Sequence, residues 1–226
     1  MTETHEHLQR IFRALAPKTA RKYQFFATSY SVMQETFFED QYRFLVQNLK
    51  NHTIAIDIGA NIGDSSIYLA RCPKIERVYA FEPFYYLFKE ALFNAKLSRL
   101  EDKILLSQKL VMGDKNGKIP DNMANREYRF IGNADEHNFS SITLPDIIEG
   151  IKAKYKTNPI IIKCDIEGEE YNVFTKDLDY SKIYKLQIEY HRKSPVRITS
   201  ILKLKGFRCK TLKEKAFGQI FAERVD

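Results

Sequence analysis

The segment Asp57-Ile58-Gly59-Ala60-Asn61-Ile62-Gly63 joins an acid to two glycines four residues apart, a pattern able to seat a ligand on a backbone turn. Gly59 can take backbone angles closed to other residues, and Gly63 lets a following helix approach the preceding strand closely. Such a turn can also serve only to connect a strand to a helix. Here a second acid follows, because Tyr79-Ala80-Phe81-Glu82-Pro83 places Glu82 25 residues after Asp57. An acid at the end of a second strand is placed to bind ribose hydroxyls; its structural alternative is a helix-start acid facing the positive end of the helix. The spacing is not the G-x-G-x-x-G with which dinucleotide sites reach a pyrophosphate, and Asp57 would repel that anion. An acid there suits a cationic or zwitterionic ligand. S-adenosylmethionine, with its ammonium and sulfonium, fits this form better than NAD.

A second group of titratable residues follows a buried-looking strand, in Asp165-Ile166-Glu167-Gly168-Glu169-Glu170. Glu169 and Glu170 suit the first turn of a helix. Asp165 and Glu167 suit a ligand cleft, provided that a cation, water or a basic side chain such as Lys163 offsets the repulsion among four acids. The next strand ends in Glu189-Tyr190-His191, which puts Glu189 and His191 on one face. Three uses are open to Asp165, Glu189 and His191. Glu189 and His191 can be a structural pair at a strand end, or the three can form a cluster that binds and deprotonates a hydroxyl with His191 as base, or a divalent-metal site. His5, His7, His52 and His137 have no partner at a chemically meaningful spacing.

Taken in order, IDIGANIG, VYAFEP followed by Asn94, IIIKCDIEGEE and QIEYH resemble the motifs of the FkbM-type methyltransferases, over roughly residues 54 to 210. The resemblance implies a seven-stranded methyltransferase sheet, S-adenosylmethionine as donor, and an oxygen acceptor on a sugar, polyketide or lipid-linked glycan. By position it makes Asp57, Gly59, Asn61, Gly63 and Glu82 cofactor residues and sets Asp165, Glu167 and Gly168 at the centre of the cleft. The expected cofactor set is thus Asp57, Gly59, Ala60, Asn61, Gly63, Glu82, Pro83 and Asp165. The expected catalytic set is Asp165, Glu189 and His191, with no metal ligand assigned. The first 50 residues and 118–140 lie outside the resemblance.

The elements that must position these groups follow from periodicity. Short β-branched runs at 53–58, 77–81, 103–107, 159–164 and 184–189 alternate with helical patterns near 63–71, 84–97, 144–156, 168–176 and 196–205. That alternation is the mark of a doubly wound, mostly parallel α/β sheet. Residues 206–210 and 217–223 read as a closing β-hairpin. Before the sheet, apolar residues at helical spacing in 4–16 and 36–50 predict an N-terminal helical extension over residues 1–50, ahead of a methyltransferase domain over 51–226. The eight aromatics between Tyr23 and Phe44 suit packing of that extension. The polar stretch 113–141 predicts a long loop, a candidate flap.

Composition bounds the rest. A chain of 226 residues, 44% hydrophobic, can bury one sizeable core. Cys72, Cys164 and Cys209 are too few and too scattered for a disulfide framework, which fits a reducing, cytoplasmic setting. No apolar run reaches the roughly 18 residues a membrane span requires, and the polar N-terminus reads as neither signal peptide nor anchor. The net charge of +7 is concentrated between Arg192 and Lys215, where nine Lys/Arg face one acid, Glu214. That segment reads as a solvated face, or as a patch for phosphate, acidic glycan or nucleic acid. The expectation is S-adenosylmethionine-dependent methylation of a hydroxyl on a small-molecule or glycan acceptor. An RNA methyltransferase and a non-catalytic nucleoside-binding protein are the rivals, and oligomeric state is not legible.

Overall fold

The computed structural model describes residues 34–114, 140–191, 194–213 and 217–225. The expected helix over 4–16 and the interior of the expected loop at 113–141 lie outside these residues. Seven strands form one sheet in the order β3-β2-β1-β6-β7-β9-β8. They are β1 (Thr53–Ile58), β2 (Ile75–Phe81), β3 (Ile104–Ser107), β6 (Ile160–Cys164), β7 (Ile183–His191), β8 (Phe207–Lys213) and β9 (Phe217–Arg224). The first five run parallel to one another, and β9 pairs antiparallel with both β7 and β8, closing the sheet with the expected hairpin. The chain leaves β1 toward β2 on one side and lies against β6 on the other. The ends of β1 and β6 therefore flank the switch point where ligands of such sheets bind.

The crossover helices are α2 (Asp64–Ala70), α3 (Tyr85–Leu97), α4 (Leu144–Lys154), α5 (Glu170–Val173) and α6 (Val196–Leu204). Helix α4 starts as its sequence dictates: Thr143 and Asp146 form a capping box, and Pro145 occupies the first turn. β1 and β6 are buried along their whole length, as strands covered on both faces must be. Ile54, Ile56, Ile58, Ile160, Ile162 and Ile188 fill the core under α4 and α6, and Ala55, Ile67, Leu69, Val78 and Ile161 fill the core under α2. The long loop has an order its sequence did not announce. Its two ends, β4 (Leu110–Met112) and β5 (Ser141–Thr143), pair in parallel as a separate two-stranded ribbon. No described helix is long and apolar enough to cross a membrane.

The expected helix over 36–50 is instead broken into a π-helical turn, Gln34–Phe38, and one turn of α-helix, α1 (Arg43–Val46). Positive φ angles at Asp40 (58°) and Asn48 (52°) interrupt it. The sheet holds this segment by its main chain. Lys185 Nζ donates to the carbonyls of Gln47 at 2.7 Å and Phe44 at 3.3 Å, and Gln187 Nε2 donates to that of Gln41 at 3.1 Å. Tertiary hydrogen bonds to the backbone override an apolar helical period that is only a weak prior.

Beneath the glycine turn, Asp57 and Lys163 stand opposite each other in the β1–β6 register, 0% and 5% exposed, with Nζ 3.4 Å from Oδ1. Burial works against the Lys163 charge, but Asp57 and neighbouring acidic groups hold its pKa well above the usual lysine value. Lys163→Met would strand the Asp57 carboxylate and should cost about 3–5 kcal/mol in denaturant unfolding. Pairing it with Asp57→Asn should recover part of that loss; strictly additive losses would show the pair to be uncoupled. Gly59→Ala should destabilise by more than about 2 kcal/mol, because φ is +75° and the new Cβ would lie 1.9 Å from the Asp165 carbonyl oxygen. Gly150→Ala, inside α4 with nothing within 4 Å, should instead stabilise by about 1 kcal/mol. Equal unfolding midpoints for the two alanine variants would contradict this picture.

Candidate active site

The donor side is built around the turn that follows β1. Gly59 and Gly63 take φ of 75° and 87°, and Asn61 between them takes 49°. The amides of Gly59 and Ala60 both donate to the Phe81 carbonyl at 3.0 Å, and the Asp165 amide donates to that of Ile58 at 3.0 Å. Lys163 Nζ reaches the Gly59 carbonyl from below, and Asn94 Nδ2 donates to the Ile62 carbonyl at 2.8 Å. The turn is thereby fixed to β2, β6 and α3 together. Gly63 is needed for the last of these, since a Cβ there would sit 3.1 Å from that of Ala91.

An open cleft of ≈ 570 Å³ lies over this turn, lined by Gly59, Asn61, Glu82, Pro83, Asp165 and Glu167, with Phe81, Phe84, Leu110 and Val111 as its apolar wall. Glu82 is 4% exposed; its Oε2 accepts from the Asn61 amide at 2.8 Å and its Oε1 from the Phe84 amide at 3.0 Å. The carboxylate thus ties the glycine turn to the start of α3 at the edge of the cleft, the position at which an acid can meet ribose hydroxyls. The apolar wall beside it suits an adenine ring, and the turn suits a short zwitterionic chain. The residues present therefore fit S-adenosylmethionine. Lys109, Leu110 and Val111, which also line the cleft, went unnoticed in the sequence because no glycine or acid marks them.

Asp57, expected as a cofactor ligand, has its carboxylate elsewhere. It is fully buried, and its Oδ2 accepts from the hydroxyls of Ser65 at 2.7 Å and Ser66 at 2.6 Å, tying the first turn of α2 to the strand. Ala60 and Gly63 shape the turn through their backbone, while Gly59, Asn61, Glu82, Pro83 and Asp165 reach the cleft wall itself.

The acceptor side gathers around His191. Its Nδ1 is 3.0 Å from Glu170 Oε1, and its Nε2 is 3.4 Å from Glu189 Oε1, 3.8 Å from Glu167 Oε2 and 3.9 Å from Asp165 Oδ1. Burial opposes a charge on His191, but its bonds to Glu170 and Glu189 and the remaining carboxylates raise its pKa to about 10. These neighbours favour the imidazolium, the form that does not accept a proton, and so weigh toward a neighbouring carboxylate as the base rather than His191. Burial raises Asp165 to about 7 against the opposing pull of Lys163, with Glu189 adding to the rise. Asp165 is thus the group poised near neutrality. Asp165, Glu167 and His191 bring three potential ligand atoms within 4.8 Å of one another, a carboxylate and imidazole set of the kind that can hold a divalent cation.

Glu170, read from the sequence as serving its helix, is 0% exposed and also accepts from the Gly168 amide at 3.0 Å. Its position in the first turn of a helix looked the same for either role. Only the packing of α5 against the end of β7 separates them.

Residues 57–209 match the family model described as the methyltransferase FkbM domain. No curated protein matches the chain. Among solved structures, it is similar to a precorrin-6y C5,15-methyltransferase from Geobacter metallireducens, at TM-score 0.51 and 14% identity over 89% of this chain and 95% of that one. It is also similar to a putative tRNA (m1A22) methyltransferase from Streptococcus pneumoniae solved with S-adenosyl-L-methionine, at TM-score 0.50 and 14% identity over 83% of this chain and 74% of that one. These likenesses show a Rossmann-like methyltransferase fold. The family match spans more than half of the chain and takes in the glycine turn, Glu82 and the carboxylates around His191, so the protein belongs to the FkbM-domain methyltransferases and uses S-adenosylmethionine as its methyl donor.

Proposed function

We propose that the protein methylates a hydroxyl oxygen, on a sugar, a glycan or a small metabolite, with Asp165 receiving the proton. The observation that carries this reading is the position of Asp165. It follows β6 directly, its backbone touches the cofactor turn at Gly59, and its carboxyl, held near 7, faces the cluster around His191. When bound, S-adenosylmethionine supplies the methyl carbon, whose bond to sulfur breaks as the bond to acceptor oxygen forms, the electron pair returning to sulfur. A hydroxyl is a weak nucleophile at neutral pH, so a carboxylate that takes its proton as that bond forms lowers the barrier. An amine acceptor would need only to arrive neutral. Glu189 orients the acceptor hydroxyl, and the His191 imidazolium holds Glu189, Glu167 and Asp165 at one place despite their mutual repulsion. Most of the rate is expected from alignment and exclusion of water rather than from covalent help by the protein.

A second reading makes RNA the acceptor. Lys203, Lys205, Arg208 and Lys210 are exposed, and the Streptococcus pneumoniae neighbour is a putative tRNA methyltransferase. Against it, Asp165 and Glu167 in the cleft, with Glu189 beside His191 next to them, repel phosphate. Methyl-labelled S-adenosylmethionine, incubated with fractionated cell extract, should label hydroxyl-bearing small molecules or glycans; label in RNA would replace this reading with the other.

Calorimetric titration of Glu82→Gln with S-adenosylhomocysteine should show a tenfold to hundredfold weaker complex, the loss of a buried charged hydrogen bond of about 1.5–3 kcal/mol. Unchanged affinity in a folded variant would remove Glu82 from the donor site. With the labelled acceptor in hand, turnover should rise with pH through about 7 as Asp165 ionises and fall through about 10 as His191 loses its charge. Asp165→Asn should abolish the rising limb and lower turnover by about 10²–10⁴-fold at unchanged donor affinity. A chelator should leave turnover unchanged, and loss restored by Mg or Mn would assign the cluster to a metal.

A further inference from the structure

The outer face of α3 departs from the pattern of a helix that only covers a sheet. Its fully buried residues are Ala91, Asn94 and Ala95, because the donor turn comes so close that a Cβ on Gly63 would sit 3.1 Å from that of Ala91, and Asn94 is held to the Ile62 carbonyl. Larger apolar residues point outward instead: Tyr85, Tyr86, Leu92 and Phe93 are between 40% and 48% exposed. An amphipathic helix of a globular domain turns such residues toward the core. The other exposed positions of the helix are Lys89 and Lys96. At 3.6 residues per turn all six fall within about 120° of arc, one stripe along the helix. Within it the Tyr85 and Tyr86 rings meet edge to face at 5.5 Å, and Lys89 Nζ lies 5.8 Å from the centroid of Tyr85. The stripe holds no acid; the exposed acids Glu101 and Asp102 follow after the helix has ended.

We propose that this stripe docks the protein on an anionic lipid surface, with α3 lying in the plane of the headgroups rather than crossing the bilayer. Exposed apolar patches mark contact sites, and aromatic and leucine side chains with lysines among them have the composition of an interfacial helix. The apolar bodies enter the boundary between headgroups and acyl chains, while the lysine stems lie along them and carry their charges out to the lipid phosphates. Tyrosine suits that boundary in particular, having an apolar ring and a polar hydroxyl. The charge selects the partner. A second copy of the chain would gather the lysines of both copies into one contact, whereas an anionic headgroup layer attracts them all. A helix face is also convex, and a bilayer yields to such a face where a rigid protein would need a matching groove. Phe84 and Leu87, at the same end of α3 as Tyr85 and Tyr86, line the donor cleft, so docking sets that cleft close to the lipid surface. The proposal concerns where the protein works and stands whichever acceptor it methylates.

The chain has no tryptophan, so Tyr86→Trp supplies a fluorophore at one known position of the stripe. The full-length protein, with and without this substitution, is mixed with vesicles of phosphatidylcholine or of equimolar phosphatidylcholine and phosphatidylglycerol, and binding is read by cosedimentation. The expected result is cosedimentation with the anionic vesicles, weakened by high salt, together with a blue shift of the tryptophan emission. Lys89→Gln with Lys96→Gln should weaken that binding about 25-fold, since each lysine near an anionic surface contributes about fivefold. Tyr85→Ser with Leu92→Ser should weaken it about tenfold or more by removing the bodies that enter the lipid. Lys203→Gln with Lys205→Gln, exposed lysines on another helix, should change it little. None of the substituted residues lines the donor cleft, so calorimetric affinity for S-adenosylhomocysteine checks that each variant is folded. Cosedimentation without a blue shift, or undiminished binding by the Lys89→Gln, Lys96→Gln variant, would place the lipid contact elsewhere and overturn the proposal. Absence of binding to either kind of vesicle overturns it too, and self-association in sedimentation velocity that Leu92→Ser abolishes would then assign the stripe to a second copy of the chain.

Discussion

The site depends on one close contact, that of Gly59 with the carbonyl of Asp165. No side-chain atom fits between them, so the end of β1 and the end of β6 meet backbone to backbone. The glycine turn and the carboxylates around His191 are therefore parts of one edge rather than two surfaces that must find each other. The buried Asp57–Lys163 pair lies directly beneath, and Lys163 reaches across to the carbonyl of the same glycine. Its charge is retained in the dry interior because acids surround it. A buried pair of this kind is weak evidence for stability in itself, since well-packed apolar residues often do as well. Its place under the turn gives it a different value, that of fixing where the backbone of Gly59 lies.

Electrostatics on the acceptor side follow an inverse logic. Four carboxylates converge on a single imidazole, and the outcome is a cationic histidine together with an aspartate that ionises only near neutrality. Two neighbouring titratable groups have been pushed apart in pKa by their surroundings, the arrangement by which a site can hold a charged group and a base at the same pH. The sulfonium of the donor is a further positive charge, and the same carboxylates that repel phosphate would favour it.

The second face of the sheet shows how polar side chains within a sheet can be covered. Lys185, Gln187 and Glu189 alternate along β7 on that face; Lys185 and Gln187 donate to carbonyls of the segment 34–49, and Gln219 accepts from Gln187 and donates to Glu189, while Phe44 packs on Phe221 beside them. Thr36 and Tyr68 add hydrogen bonds to Asp64 and Asp40 between this segment and α2. The segment thereby becomes a cover for the sheet beside the site.

The sequence by itself determined the order of strands and helices, the closing hairpin, the glycine turn, and the acids at the ends of β1, β2, β6 and β7. All of these are written in local periods and in residue types whose backbone needs are strict. It could not determine what lies opposite what. Whether Glu170 serves its helix or His191, whether Asp57 faces a ligand or two serines, and whether His191 is neutral or charged depend on neighbours that only the folded chain brings together. Gln219 and Phe217 came to stand opposite Glu189 and His191 only through the register of β9 on β7, which a hairpin of unknown alignment leaves open by a full change of face for each residue of slip. Period and propensity act along the chain, but charge, burial and hydrogen bonding act through space. The identity of the residues was therefore legible in the sequence, and their protonation and roles were decided by packing.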